Sequence, residues 1–268
     1  QTIMMAQGHL DPEKLFAGIY AHSNIKNEPM SAGRQMVGHF SNTLVDENGI
    51  WLDQTQTKNH VSDVSSTGAQ MPRLIGLAQA SKIYRSLKIK NSHKFSNDGN
   101  EIAWGTIGNG STSEGLFFEA INAAGVLQIP IVISIWDDDY GISVDNKQQT
   151  TKESISKALE GFAREKDMGI EILTVKGWDY SALTKVYSYA SSIAREKHIP
   201  VLIHVTDLTQ PLGHSTSGSH ERYKSKERLQ WEKNYDCNLK FREWILSNGI
   251  SDEDTLDKIE TEIKTSIK

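Results

Sequence analysis

The sequence predicts an α/β protein with a mostly parallel sheet, layered α/β/α, and a helical C-terminal tail. Two observations carry this. Short runs that are apolar on both faces, IPIVISIW at 129–136 and IPVLIHVTD at 199–207, alternate with stretches of helical period. Strands apolar on both faces and separated by helices belong to a parallel sheet covered on each side. The chain is also long enough, at 268 residues, to bury a sizeable core as one large α/β domain or two small ones.

The elements follow in order. LDPEKLFAGIYAH (10–22) opens with Asp then Pro, a helix start, and places Leu15, Phe16, Ile19 and Tyr20 on one face. Residues 27–68 are rich in Asn, Ser, Thr, Gly and Gln and lack periodicity, so a long loop region is expected. Helical spacing returns at 71–87. Then come a strand at 102–108, a helix at 113–128 and the buried strand 129–136. A helix at 152–166, a strand at 169–177, a helix at 180–197 and a strand at 199–207 complete the alternation. From about Ser225 the text is charged and helical, so residues 1–224 read as the main domain and 225–268 as a helical tail.

Composition narrows the function classes. A net charge of −5 without long runs offers no basic face for nucleic acid. The longest apolar run falls well short of the roughly 20 residues of a membrane span. The single cysteine, Cys237, excludes a disulfide framework and points to a reducing compartment, hence a cytoplasmic location. The chain opens without a signal-peptide pattern and without Met, so a piece of a longer polypeptide is expected.

Ligands of open parallel sheets bind outside the carboxyl ends of the strands. Two turns land there. Gly108-Asn109-Gly110, with Ser111, Thr112 and Ser113, precedes a helix. Glycines admit an anion close to the backbone, and the helix start offers unpaired amides. The second turn, WDDDYGIS (136–143), follows the buried strand with Asp137, Asp138 and Asp139. Such carboxylates repel a diphosphate unless a divalent cation such as Mg²⁺ lies between them. A plain strand-to-helix turn and a solvated acidic loop are the alternatives for each turn alone. His214 and His220 form no convincing zinc pair, because no third ligand is nearby in the sequence.

Residues 111–136 put 26 residues between Gly110 and Asp137. A Gly-Asp-Gly turn, a helix and strand of this length, and an Asn-Asn pair mark thiamine-diphosphate enzymes, which this chain resembles at Gly-Asn-Gly and Asp-Asp. GNGSTSEGLFFEAINAAGVLQIPIVISIWDDDYGIS, EPMSAGRQMVGHFSN (28–42), SSTGAQMPRLIGLA (65–78) and LGHSTSGSHERYKS (212–225) are similar, in the same order, to the α subunit of the 2-oxo acid dehydrogenases. The GRQM and GHF text leans toward the branched-chain type, and the resemblance covers residues 1 to about 250.

The resemblance implies the following roles. Asn109 and Asp138 hold Mg²⁺ by their side chains, and the backbone carbonyl of Tyr140 completes the site. Gly108, Gly110 and Ser111 lie against the diphosphate of thiamine diphosphate, Ser65 faces the cofactor, and Arg164 binds the diphosphate. His214 lies by the reacting centre as a general acid or base. His39 lies near the mouth, the other histidines are surface or structural, and 212–225 matches a loop phosphorylated in some relatives. A Tyr-Arg pair of the family would fall just upstream of Gln1.

The implied activity is oxidative decarboxylation of a 2-oxo acid, followed by acyl transfer to a lipoyl group on an acyltransferase core. The activating glutamate comes from a β-type domain or subunit that this chain lacks. Pyruvate and acetoin remain open as substrates, and the His-Ser-Thr-Ser loop argues against a transketolase-like transfer. A non-catalytic subunit of the same fold is the alternative from another class. It is motivated by the metal positions, where the family's Asp-then-Asn order is reversed to Asn109 then Asp138.

Overall fold

The computed structural model describes residues 2–34, 41, 44–57, 59–61, 65–214 and 219–267. The chain divides into two compact units, one of residues 1–66, 88–98 and 261–268, the other of residues 67–87 and 99–260.

The larger unit is built on four strands, β1 (Ala103–Gly108), β2 (Ile131–Trp136), β5 (Glu171–Lys176) and β6 (Val201–Thr206). They run in the order β1-β2-β6-β5, every pairing parallel. Ile107 stands opposite Ile135, Ile135 opposite His204, and His204 opposite Thr174. Successive side chains of a strand point to opposite faces, so both faces of β2 need cover. Ile131, Ile133 and Ile135 pack with Phe117, Ile121 and Ala124 of α4 (Gly115–Leu127) and with Met71, Leu74 and Ala78 of α3 (Gln70–Ser86). Val132, with Val201, Ile203 and Val205, packs on Ala190, Ile193 and Ala194 of α7 (Tyr180–Lys197). Helices on each face of one parallel sheet give the three layers expected.

Local chemistry sets the boundaries. Asp179 caps α7 by accepting from the Ala182 amide, and His198 ends it in the left-handed region at φ 53°. Gln128 ends α4 the same way at φ 47°. Close packing of α3 on β1 requires Gly105, where an added Cβ would lie 1.9 Å from Leu74. The tail forms α8 (Lys226–Asn234), α9 (Cys237–Ser247) and α10 (Glu253–Ser266).

The single helix expected at 152–166 is corrected. The segment forms a short turn at Thr151–Glu153, one turn of helix at Ile155–Ala158 (α6) and another short turn at Glu160–Phe162. Lys152 and Glu153 adopt φ 60° and 55°, which no helix accommodates, and the Arg164 amide bonds the Ile170 carbonyl. Burial of Ile155 and Leu159 explains the apolar spacing without a continuous helix. A small hairpin, β3 (Tyr140–Gly141) and β4 (Val144–Asp145), and the short α5 (Asn146–Gln149) fill the stretch before it.

The smaller unit contains α1 (Thr2–Ala6) and α2 (Pro12–Ile19), the latter capped by Asp11 with Pro at its start. Met4 and Leu10 form its small core with Met5, Leu15 and Met30. The expected apolar face of α2 is mostly uncovered: Leu15 packs, whereas Phe16, Ile19 and Tyr20 are exposed. Glu28 is buried and accepts from the Met30, Ser31 and Gly33 amides and the Ser31 hydroxyl. Residues 35–40, which include His39, lie outside the described residues. No described helix is long and apolar enough to cross a membrane.

Candidate functional site

The carboxyl ends of β1, β2 and β6 open onto a cavity of about 650 Å³. Its wall includes Gly108, Asn109, Gly110, Ser111, Asp138, Tyr140, Gln149 and His214. Both turns singled out from the sequence therefore meet on one cavity. His214 stands on it as an exposed residue. Ser65 belongs to the smaller unit and is exposed there. Among the described residues no three His, Cys, Asp or Glu cluster as a metal site.

Arg164 is a correction. Its guanidinium bonds Gln128 Oε1, and Gln128 caps the C-terminal end of α4, whereas the Gly108–Ser111 turn precedes that helix's N-terminus. A helix of 13 residues is about 20 Å long, so Arg164 sits at the wrong end of α4 for this cavity. The bond to Gln128, itself held on the Gly125 and Gly169 carbonyls, makes Arg164 a fastener of the α4–β5 connection.

The glycine turn is shaped for close approach. A Cβ on Gly108 would meet no atom within 4 Å, so only cavity space lies above it. A Cβ on Gly110 would stand 3.1 Å from the Gly141 Cα, so the two turns pack backbone to backbone. Gln149 bridges them further, donating Nε2 to the Gly110 carbonyl at 2.8 Å and to the Ser113 hydroxyl at 3.0 Å. Gln149 Oε1 is buried and has no partner among the described residues. Amides at the start of a helical turn lack intrahelical acceptors, so the Gly110–Ser113 turn presents donors to an anion.

Beneath the cavity floor runs a buried polar chain that sequence reasoning missed. Asn109 Nδ2 donates to the Tyr140 carbonyl at 3.0 Å and to Asn146 Oδ1 at 3.2 Å. Asn146 Nδ2 donates to both oxygens of Asp137, at 3.0 and 3.2 Å. Asp137 Oδ2 also lies 2.8 Å from His204 Nε2, and His204 Nδ1 lies 3.0 Å from the Ser156 hydroxyl. Asn109, Asn146, Asp137 and His204 are all buried. Burial alone would push the Asp137 carboxyl up, but His204, the Asp139 amide and Asn146 hold it below the usual carboxylate range. One signal was available: a histidine in the apolar run VLIHVT must find a partner once the strand is buried.

Asp138 behaves differently. Burial pushes its carboxyl above the usual range, and the charge of Asp137 adds to this, against the Tyr140 amide and Lys224. Helix α8 clamps this acidic turn. Arg228 bonds the Asp139 carboxylate and, at 2.8 Å, the Asp138 carbonyl, while Lys224 and Arg228 share Glu232 at 2.7 and 2.9 Å. Both cations lie over the Tyr140 ring, at 5.0 and 5.6 Å from its centroid. A second, apolar cavity of about 380 Å³ shares Trp136 and Leu208 with the first and is otherwise walled by residues such as Tyr180, Leu183, Tyr187 and Val205.

The donor set fits a divalent cation carrying a diphosphate. The Asp138 carboxylate, raised by burial, shares the cavity wall with Asn109 and Tyr140, and the space above Gly108 is open.

The chain is 28% identical over 201 residues to the pyruvate dehydrogenase E1 component subunit alpha of Rickettsia bellii, covering 75% of this chain and 55% of that protein. It is 27% identical over 228 residues to the 2-oxoisovalerate dehydrogenase subunit alpha of Bacillus subtilis, covering 84% and 59%. It is also 27% identical over 238 residues to the mitochondrial 2-oxoisovalerate dehydrogenase subunit alpha 2 of Arabidopsis thaliana, covering 88% and 42%. The chain thus spans about half the length of the curated relatives it matches. The family model described as "Dehydrogenase E1 component" matches residues 4–268, nearly the whole chain, and the chain belongs to that family.

Proposed function

We propose that this chain is the α part of a thiamine-diphosphate-dependent 2-oxo acid dehydrogenase, acting on a branched-chain 2-oxo acid in the cytoplasm. The observation that supports it most is the convergence of the Gly108–Ser111 turn, the Asp138 carboxylate and His214 on one cavity at the carboxyl ends of parallel strands. Thiamine diphosphate, when bound, supplies the carbanion chemistry of decarboxylation. The chain's own residues bind and orient. Gly108, Gly110 and Ser111 receive the diphosphate. Asp138, the Tyr140 carbonyl and the Asn109 side-chain oxygen hold Mg²⁺. His214, on the exposed side of the cavity, exchanges a proton with the reacting group or the lipoyl acceptor.

Activity requires a β-type domain or subunit supplying the activating glutamate, and a lipoyl-bearing acyltransferase core to receive the acyl group. Residues 1–224 form the cofactor-binding part and 225–268 its helical tail. Titration calorimetry with Mg²⁺ and thiamine diphosphate, on the chain combined with its β-type partner, tests the reading. Micromolar binding that requires Mg²⁺ is expected, and absence of binding overturns it.

One observation favours a non-catalytic subunit instead: the Asn109 amide nitrogen already occupies the Tyr140 carbonyl. That reading expects the assembly to form without cofactor binding, so the same titration separates the two.

A further inference from the structure

The two ends of a carboxamide are nearly identical in shape, so its surroundings decide which way it faces. Here the decision starts from a buried acceptor. Asp137 is 3% exposed, its Oδ1 accepts from the Asp139 amide, and its Oδ2 lies 2.8 Å from His204 Nε2. Asn146 turns its nitrogen toward both oxygens of Asp137, at 3.0 and 3.2 Å. The Asn146 oxygen then faces Asn109, which must present its nitrogen in turn, at 3.2 Å. That same nitrogen meets the Tyr140 carbonyl at 3.0 Å.

We propose that Asp137, acting through Asn146, is a positioning residue that fixes Asn109 as a hydrogen-bond donor. The Asn109 amide thereby joins the glycine turn to the acidic turn. Its nitrogen is committed to two acceptors, and its oxygen is left to face a ligand.

The proposal goes beyond the cofactor reading and does not depend on it. A carboxylate at position 109 would aim an oxygen at two acceptors, the Tyr140 carbonyl and Asn146 Oδ1. Asn146 cannot reverse to help, because its own oxygen would then meet Asp137. Replacing Asp137 by Asn frees Asn146 to turn and relieves the second of these two repulsions. The effect of a change at 109 is therefore set by a residue that Asn109 reaches only through Asn146.

The test is thermal unfolding of the full-length protein in a metal chelator, for Asn109→Asp, Asp137→Asn and the double variant. Asn109→Asp is expected to lower the midpoint by about 4 °C or more. In the Asp137→Asn background the loss shrinks by at least half. No loss, or an equal loss in both backgrounds, overturns the proposal. Asn146→Ala separates the amide route from simple repulsion between carboxylates: the coupling falls when Asn146 is removed, and unchanged coupling overturns the proposal. If Asp137→Asn does not fold, side-chain amide exchange of Asn109 decides. Slow exchange in the wild type, accelerated about tenfold or more by Asn146→Ala, supports the proposal, and fast exchange in the wild type overturns it. No cofactor enters these measurements, so a failure of thiamine diphosphate to bind leaves them standing.

Discussion

Asp137, just past the end of β2, and His204, inside the neighbouring β6, meet at 2.8 Å with both side chains almost sealed from solvent. Removing His204 strips a buried carboxylate of one of its hydrogen-bond partners, which costs about 1–3 kcal/mol. His204→Ala is therefore expected to destabilise the fold strongly, as read by denaturant unfolding. The pH dependence has a definite sign. The depressed Asp137 carboxyl contributes stability that is present above its ordinary value of 3.8 and lost as pH falls through its lower folded value. His204→Ala raises that folded value, so acid unfolding should begin at higher pH. An unchanged acid limb would show that the pair is not coupled to folding.

Gly108→Val separates binding from stability. The added side chain enters open space, so the thermal midpoint should stay within about 2 °C, while thiamine diphosphate binding weakens by tenfold or more. Calorimetry beside differential scanning checks both. Wild-type affinity in this variant would place the diphosphate elsewhere.

Asp138→Asn should act in opposite directions on stability and binding. Its carboxyl is raised by burial, so its stabilising contribution is full below 3.8, where it is protonated, and is lost as pH rises through the folded value. At neutral pH the neutral variant should be slightly more stable without metal, by about 1–2 °C. Mg²⁺-dependent cofactor binding should fall at least about tenfold, a change of about 1.4 kcal/mol or more. A fall in metal-free stability would contradict the burial argument.

Arg164→Ala should leave cofactor affinity unchanged and lower stability by about 1–2 kcal/mol, because it strips Gln128 of its charged partner far from the cavity. Weakened binding without loss of stability would restore Arg164 to the diphosphate.

His214→Ala should fold normally, since the residue is exposed, and should reduce 2-oxo-acid-dependent lipoyl acylation in the complex with the β-type partner. The reduction expected for a general acid or base is about 10²–10⁴-fold. Unchanged acylation would remove the catalytic role.

The sheet was legible because periodicity reports burial. Each of the four strands lies within the run that announced it, and α7 spans Tyr180–Lys197 as the pattern implied. The pattern failed at 152–166, where Ile155 and Leu159 carry helical spacing but left-handed backbone at Lys152 and Glu153 breaks the helix. It succeeded on α2, which forms where Asp11 and Pro12 announced it, although Phe16, Ile19 and the following Tyr20 are exposed. At the site, Asn109 and Asp138 were visible because glycines and carboxylates stand out in a sequence. The partners behind them, Asn146 for Asn109 and His204 for Asp137, were not, because the hydrogen bonds that join them cross 37 and 67 positions of chain and exist only after the sheet forms.

Trp136 has a consequence of another kind. Its indole is 46% exposed, donates to the Ser134 hydroxyl at 3.1 Å, and forms a wall common to the polar and the apolar cavity. Its emission wavelength depends on the polarity around the ring, and that polarity changes when either space fills. The protein thus carries an intrinsic optical gauge at the junction of the two, one that reports occupancy without a label and before any turnover.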